Sequence, residues 1–205
     1  MRLPVLDLYV LSLLERGLET AYSFQREGGL SLGASTPSLR RLTEARLVKR
    51  KDEEGKTNRP RHVYTLTSLG RELARSAWRE YSQPGQLPSD LDSVLRLSDM
   101  AAHYGAGAAE VARFLKTASD RRATLARRVA ASLEEDNGLV YMPMRSRCEA
   151  ARLKAEAAVL GEMAAEISTG RSRLLRSRKK SQSISGVRRK GKNRAATIIC
   201  DSSSG

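Results

Sequence analysis

Residues 47–67 read Leu47-Val48-Lys49-Arg50-Lys51-Asp52-Glu53-Glu54-Gly55-Lys56-Thr57-Asn58-Arg59-Pro60-Arg61-His62-Val63-Tyr64-Thr65-Leu66-Thr67, and this stretch decides the fold. Its middle is polar and turn-rich, while Arg61–Thr67 is rich in β-branched and aromatic residues. Two short strands around a charged loop are therefore expected to form a hairpin. Thr67 then caps a new helix from about Ser68 to Tyr81, with Leu69, Leu73 and Ala77 inside.

Upstream, Leu3, Leu6, Val10, Leu13 and Leu14 recur at helical spacing over residues 3–16, and Gly17 stops that helix. A short second helix covers Glu19–Arg26, with Ala21, Tyr22 and Phe24 as its apolar positions, and Gly28-Gly29 ends it. In the third helical segment Thr36 serves as N-cap and Pro37 as first residue, with Leu39, Leu42 and Leu47 inward. Helix, short helix, helix, hairpin, helix is the winged version of the helix-turn-helix arrangement. The hairpin carries the distinction, since three helices alone are far less specific.

Downstream, Ser82-Gln83-Pro84-Gly85-Gln86-Leu87-Pro88 has linker composition. Three further helices are expected at Asp90–Tyr104, Ala108–Glu135 and Met144–Ile167. The second repeats Val111, Leu115, Ala118, Leu125 and Val129 in 4-3 steps interrupted by Arg122. The third repeats Leu153, Ala157, Leu160, Ala164 and Ile167. Such seams suit long antiparallel helix packing, as a coiled coil or as an ordinary bundle core. The reading is thus a mainly α chain: residues 1–81 as a winged helix-turn-helix domain, 82–89 as linker, 90–169 as a helical domain, and 170–205 as a basic tail. The tail has too little aliphatic content to offset chain entropy and is expected to be disordered.

Composition bounds the rest. The 205 residues carry a net charge of +14, of which residues 171–205 alone contribute +10 through eleven Lys/Arg against Asp201. The basic balance is largely a property of the tail and does not by itself make the folded part a nucleic-acid binder. Aromatics make up only 4%, so the core must rest on Leu, Val and Ala. Cys148 and Cys200 show no metal-ligand spacing, which fits a reducing cytoplasm. The longest apolar stretch, Val5–Leu14, is interrupted by Asp7 and falls well short of the ~20 residues a membrane span needs. No membrane or export role is expected. His62 and His103 have no evident catalytic partner, Cys148 reads as an inert thiol despite Arg145 and Arg147 nearby, and the glycine pairs lack the strand context of a phosphate loop. An enzyme is not expected, and neither a metal nor a cofactor is implied.

Three stretches resemble the PadR family of transcriptional regulators. They are Leu11-Ser12-Leu13-Leu14 with Gly17-Leu18 and Tyr22; Leu30-Ser31-Leu32-Gly33 followed by Pro37-Ser38-Leu39-Arg40-Arg41-Leu42 and Leu47-Val48; and Asn58 to Gly70, the most specific of the three. The motifs cover roughly residues 3–75, and residues 85–168 are similar to the longer members' helical domain in pattern. The chain departs from the family at Thr36, where a Tyr precedes the Pro, and at Arg46, where a Gly precedes Leu-Val.

The resemblance implies a homodimeric, cytoplasmic regulator of transcription, read as a ligand- or signal-released repressor of a pseudo-palindromic operator on double-stranded DNA. Short polar and basic side chains on the third helix, Ser35, Thr36, Ser38, Arg40 and Arg41, are its candidate groove contacts. Lys56, Arg59 and Arg61 in the wing are candidates for the backbone or minor groove. The Leu153, Ala157, Leu160, Ala164, Ile167 seam is the candidate dimer interface. Trp78 and Tyr81 are candidate contacts for a small aromatic effector of the kind some members bind. A basic RNA- or ribosome-associated winged module is the alternative, as is a protein-docking role for the same domain.

Overall fold

Helix α1, Val5–Glu15, is buried on almost every side, through Val5, Leu8, Val10, Leu11, Leu13 and Leu14. A short helix apolar all round belongs at the centre of a core, and α1 touches α3, α4, α5 and the strand β2 defined below. The computed structural model describes residues 2–54, 60–83, 85–132 and 141–170. Its elements in order are α1, α2 (Ala21–Arg26), α3 (Leu32–Glu44), β1 (Val48–Glu54), β2 (Pro60–Leu66), α4 (Ser68–Ser76), a 3-10 helix (Ala77–Ser82), α5 (Leu91–His103), α6 (Ala108–Ala131) and α7 (Tyr141–Ser168). The chain is mainly helical, with one two-stranded antiparallel sheet.

Local chemistry explains most boundaries. Gly17 leaves α1 at φ +90, with Gly17 N–H donating to Leu14 O and Leu18 N–H to Leu13 O, the pair of bonds that closes a helix through a left-handed residue. Thr20 and Ser23 cap α2 reciprocally, each backbone N–H donating to the other's hydroxyl at 3.1 Å. Thr67 accepts from Gly70 N–H at 3.1 Å and starts α4, as expected. Asp90 accepts from Ser93 N–H at 2.7 Å and starts α5.

Strands β1 and β2 pair from Val48 opposite Leu66 to Glu54 opposite Pro60. Tyr64 N–H donates to Glu19 O at 2.8 Å, which fastens β2 to the α1–α2 junction. Residues 55–59, and with them Lys56 and Arg59, lie outside the described residues, as do residues 133–140 and the tail from 171 onward.

Several helical expectations change. Leu69 is 52% exposed, whereas Leu73 and Ala77 pack against the core as expected, beside the buried Gly70 and Ala74. Regular α-helix stops at Ser76 rather than continuing to Tyr81. In α6, Leu125 is 43% exposed, while Arg122 and Ala126 are buried, so the inward line is Val111, Leu115, Ala118, Arg122 and Ala126. Arg122 continues this line instead of breaking it.

Helices α6 and α7 run antiparallel: Ser119 donates to Ala157 O at 2.7 Å and Arg122 pairs with Glu156 at 2.9 Å. One continuous apolar cluster runs from Leu3 through Leu97 and Leu115 to Ile167. The stretch of linker composition packs into it, since Leu87 is buried and its carbonyl accepts from Arg121 at 2.7 Å.

Candidate nucleic-acid interface

Helix α3 begins five residues earlier than its sequence suggests. Ser31, not Thr36, is the N-cap, its hydroxyl accepting from Ala34 N–H at 3.2 Å, and Pro37 stands inside the helix. Proline there removes the hydrogen bond to the carbonyl of Gly33. Both residues face solvent, so water can take the carbonyl.

This earlier start adds Ser35 to the helix, one turn before Ser38. Ser35, Ser38, Leu39 and Leu42 fall at i, i+3, i+4 and i+7 and all turn inward. Ser35 and Ser38 are therefore not groove contacts: both are fully buried. Ser38 Oγ donates to Asp7 Oδ1 at 2.7 Å, and Ser35 Oγ to Leu32 O at 3.4 Å. Of the two serines, Ser38 meets α1 directly, through Asp7.

The outward face carries Leu32, Gly33, Thr36, Pro37, Arg40 and Glu44, with Tyr22 of α2 exposed as well. Arg40 is exposed and bonds Glu44 one turn on at 2.8 Å. That bond, together with the Glu44 charge, raises the Arg40 pKa. Arg41 is half-exposed and grips the buried Asp7, Nε on Oδ2 at 3.0 Å and Nη2 on Oδ1 at 2.6 Å. The hydrogen bond to Asp7 leads the causes that raise its pKa. Both arginines are thus charged and already partnered, a pattern the sequence signals only for Arg40–Glu44, through i,i+4 spacing.

Beside α3, the hairpin pairs its own charges. Residues two apart share a strand face, and Arg50 Nε donates to Asp52 Oδ1 at 2.8 Å, with His62 Nδ1 2.7 Å from the same oxygen. The hydrogen bond from Arg50, then that from His62, holds the Asp52 carboxyl below the usual carboxylate range. Lys51 pairs with Glu53 at 3.2 Å. Asp52 and Glu53 are therefore neutralised by basic neighbours on the hairpin itself, and Arg61 and Lys49 remain exposed.

The candidate effector residues separate. Trp78 is buried and lines a cavity of about 430 Å³ together with Leu97, Val111, Phe114, Thr117 and Arg121. Its indole N–H donates to Arg75 O at 3.1 Å. Tyr81 does not line this cavity. Its hydroxyl is spent on Leu3 O at 2.6 Å, and Arg2 stacks over its ring. Sequence reading missed Phe114 and Arg121 because neither stands in the α6 repeat.

The candidate dimer seam is also reassigned. Leu153, Ala157, Leu160, Ala164 and Ile167 are all buried within the chain, on the face of α7 that packs against α6. Apolar periodicity marks a face that needs covering, and here the covering helix is the chain's own. Exposed apolar side chains lie elsewhere on this helix pair, at Leu125, Tyr141, Met142, Met144 and Val159. Cys148 is a free thiol and exposed. Among the described residues no cluster of His, Cys, Asp or Glu could hold a metal ion, and no helix is long and apolar enough to cross a membrane. Compared with models of known protein families and with curated proteins, the chain matches none.

Proposed function

We propose that this chain is a DNA-binding transcriptional regulator of the winged helix-turn-helix type, similar to the PadR family, that acts as a homodimer on a pseudo-palindromic duplex operator. The observation that carries the reading is the order α1, α2, α3, β1, β2, α4, with one face of α3 open to solvent and the hairpin fastened beside it. A helix in the major groove and a hairpin along the adjoining backbone use those two surfaces. Thr36, Arg40 and Arg41 are the α3 contacts, and Arg61 with Lys56 and Arg59 supplies the wing.

A single domain of this size makes few contacts, and two-fold repetition reads two half-sites about one helical turn, ~34 Å, apart. With the Leu153–Ile167 seam spent inside the chain, the homodimer draws on the exposed Leu125, Met144 and Val159 surface. The cavity beside Trp78, mostly apolar with arginine at its edge, is the seat of a small aromatic effector. It lies between the 3-10 helix that follows α4 and helices α5 and α6, where a ligand would release the repressor by altering how these elements pack.

The test is duplex binding by the full chain with Arg40, Arg41 and Arg59 replaced together by Ala. Loss of binding at physiological salt is expected, and unchanged affinity overturns the contact assignment. Structured RNA competing better than duplex DNA would favour an RNA-associated module, for which the tail charge would be the main contact.

A further inference from the structure

Asp7 is 1% exposed on α1, amid apolar neighbours, where an unpartnered carboxylate is costly. Its two oxygens take three donors, all from α3: Ser38 Oγ, Arg41 Nε and Arg41 Nη2. The arginine meets it as a fork through the side edge of the guanidinium. The end-on edge, formed by Nη1 and the remaining Nη2 hydrogen, has no partner among the described residues, and the side chain is 50% exposed.

A free surface arginine loses rotamer freedom when it grips a phosphate. One already held along its side edge has little left to lose. We infer that Asp7 is a positioning residue for DNA binding: it holds Arg41 and Ser38 so that the end-on edge of the Arg41 guanidinium meets a backbone phosphate at a fixed place. The inference rests on the DNA-binding reading above and adds a residue that reading does not use. Because Asp7 also cancels the Arg41 charge, the pair supplies register rather than net attraction. Register matters only on a duplex whose phosphates are correctly placed.

The test uses the full chain and two duplexes: one selected by the wild-type protein from a random pool, and a shuffled duplex of equal length. Asp7→Asn, Arg41→Ala and the double variant are titrated on both, with thermal unfolding recorded for each. Asp7→Asn and Arg41→Ala are each expected to weaken the selected duplex about tenfold, with the double variant no weaker than Arg41→Ala alone. Asp7→Asn is expected to leave the shuffled duplex within about twofold, since the freed cation still attracts phosphate.

Wild-type affinity in Asp7→Asn, losses that multiply to about a hundredfold in the double variant, or equal loss on both duplexes would each overturn the inference. If Asp7→Asn does not fold, Arg41→Lys decides. Lysine keeps the charge but cannot hold the carboxylate and a phosphate along two edges, so selected-site affinity falls while the salt slope stays. Retained affinity in that variant overturns the inference. A wild-type chain that selects no duplex overturns the DNA-binding reading itself.

Discussion

Gly70 in the first turn of α4 lies against the backbone of Leu47 so closely that a β-carbon on it would stand 2.1 Å from the Leu47 carbonyl oxygen. That carbonyl also accepts from Thr67 N–H at 3.0 Å and from Thr67 Oγ1 at 3.1 Å. The entry to β1 and the start of α4 are therefore locked together at one oxygen. Gly70→Ala gains helix propensity but forces backbone apart, and is expected to cost about 2–3 kcal/mol of stability. Urea unfolding checks this, and an unchanged midpoint would refute the close contact.

Arg46 is the one non-glycine residue at positive φ, +58, among the described residues. It ends α3 as Gly17 ends α1, with Arg46 N–H donating to Thr43 O and Leu47 N–H to Leu42 O. Arg46→Gly removes the left-handed penalty at the expense of a more flexible unfolded chain, and a net gain of about 0.5–1 kcal/mol is expected. A fall in melting temperature would refute it.

Arg122 is 3% exposed and ties three segments together, through Glu156 on α7, Ser89 O ahead of α5, and its own helix. Arg122→Ala strands a largely buried carboxylate and a carbonyl, though Arg152 still reaches Glu156 at 2.6 Å. A loss of about 3 kcal/mol is expected, and less when Glu156 is replaced by Leu in the same chain. Equal losses in the single and double variants would show that the pair adds nothing specific.

Burial pushes the Tyr104 hydroxyl well above its ordinary value of 10, with the nearby Glu15 charge adding to the effect. A folded pKa above the unfolded one means that the stability contribution is complete below pH 10 and is lost as pH rises beyond it. Wild type is therefore expected to weaken between pH 8 and pH 10.5 more steeply than Tyr104→Phe. Denaturant titrations at the two pH values compare the slopes, and parallel slopes would sink the assignment.

The chain has a single tryptophan, Trp78, and it lines the cavity of about 430 Å³ between the 3-10 helix, α5 and α6. Occupancy by a small aromatic anion is expected to change its fluorescence, and Thr117→Trp, which fills the space, is expected to abolish that response. A response that survives Thr117→Trp would locate the ligand elsewhere.

Much of the fold was legible because the signals were local. The β-branched and aromatic run in Arg61–Thr67, the Thr67 cap, and Gly17 as a helix stop each depend on a residue and its near neighbours, so sequence alone determines them.

Tertiary structure decided what local chemistry left balanced. Ser31 and Thr36 are both competent helix caps; the helix starts from Ser31, and packing of its Ser35, Ser38, Leu39 and Leu42 face gives Asp7 its Ser38 donor. That packing removed two serines from the solvent face and left Arg41 held by a residue 34 positions away. The seam from Leu153 to Ile167 announced a covered face without naming its cover, since periodicity is identical for a partner's helix and the chain's own. Sequence determined which elements form; the packing of α1 against α3, and of α6 against α7, decided which side chains they keep for the outside.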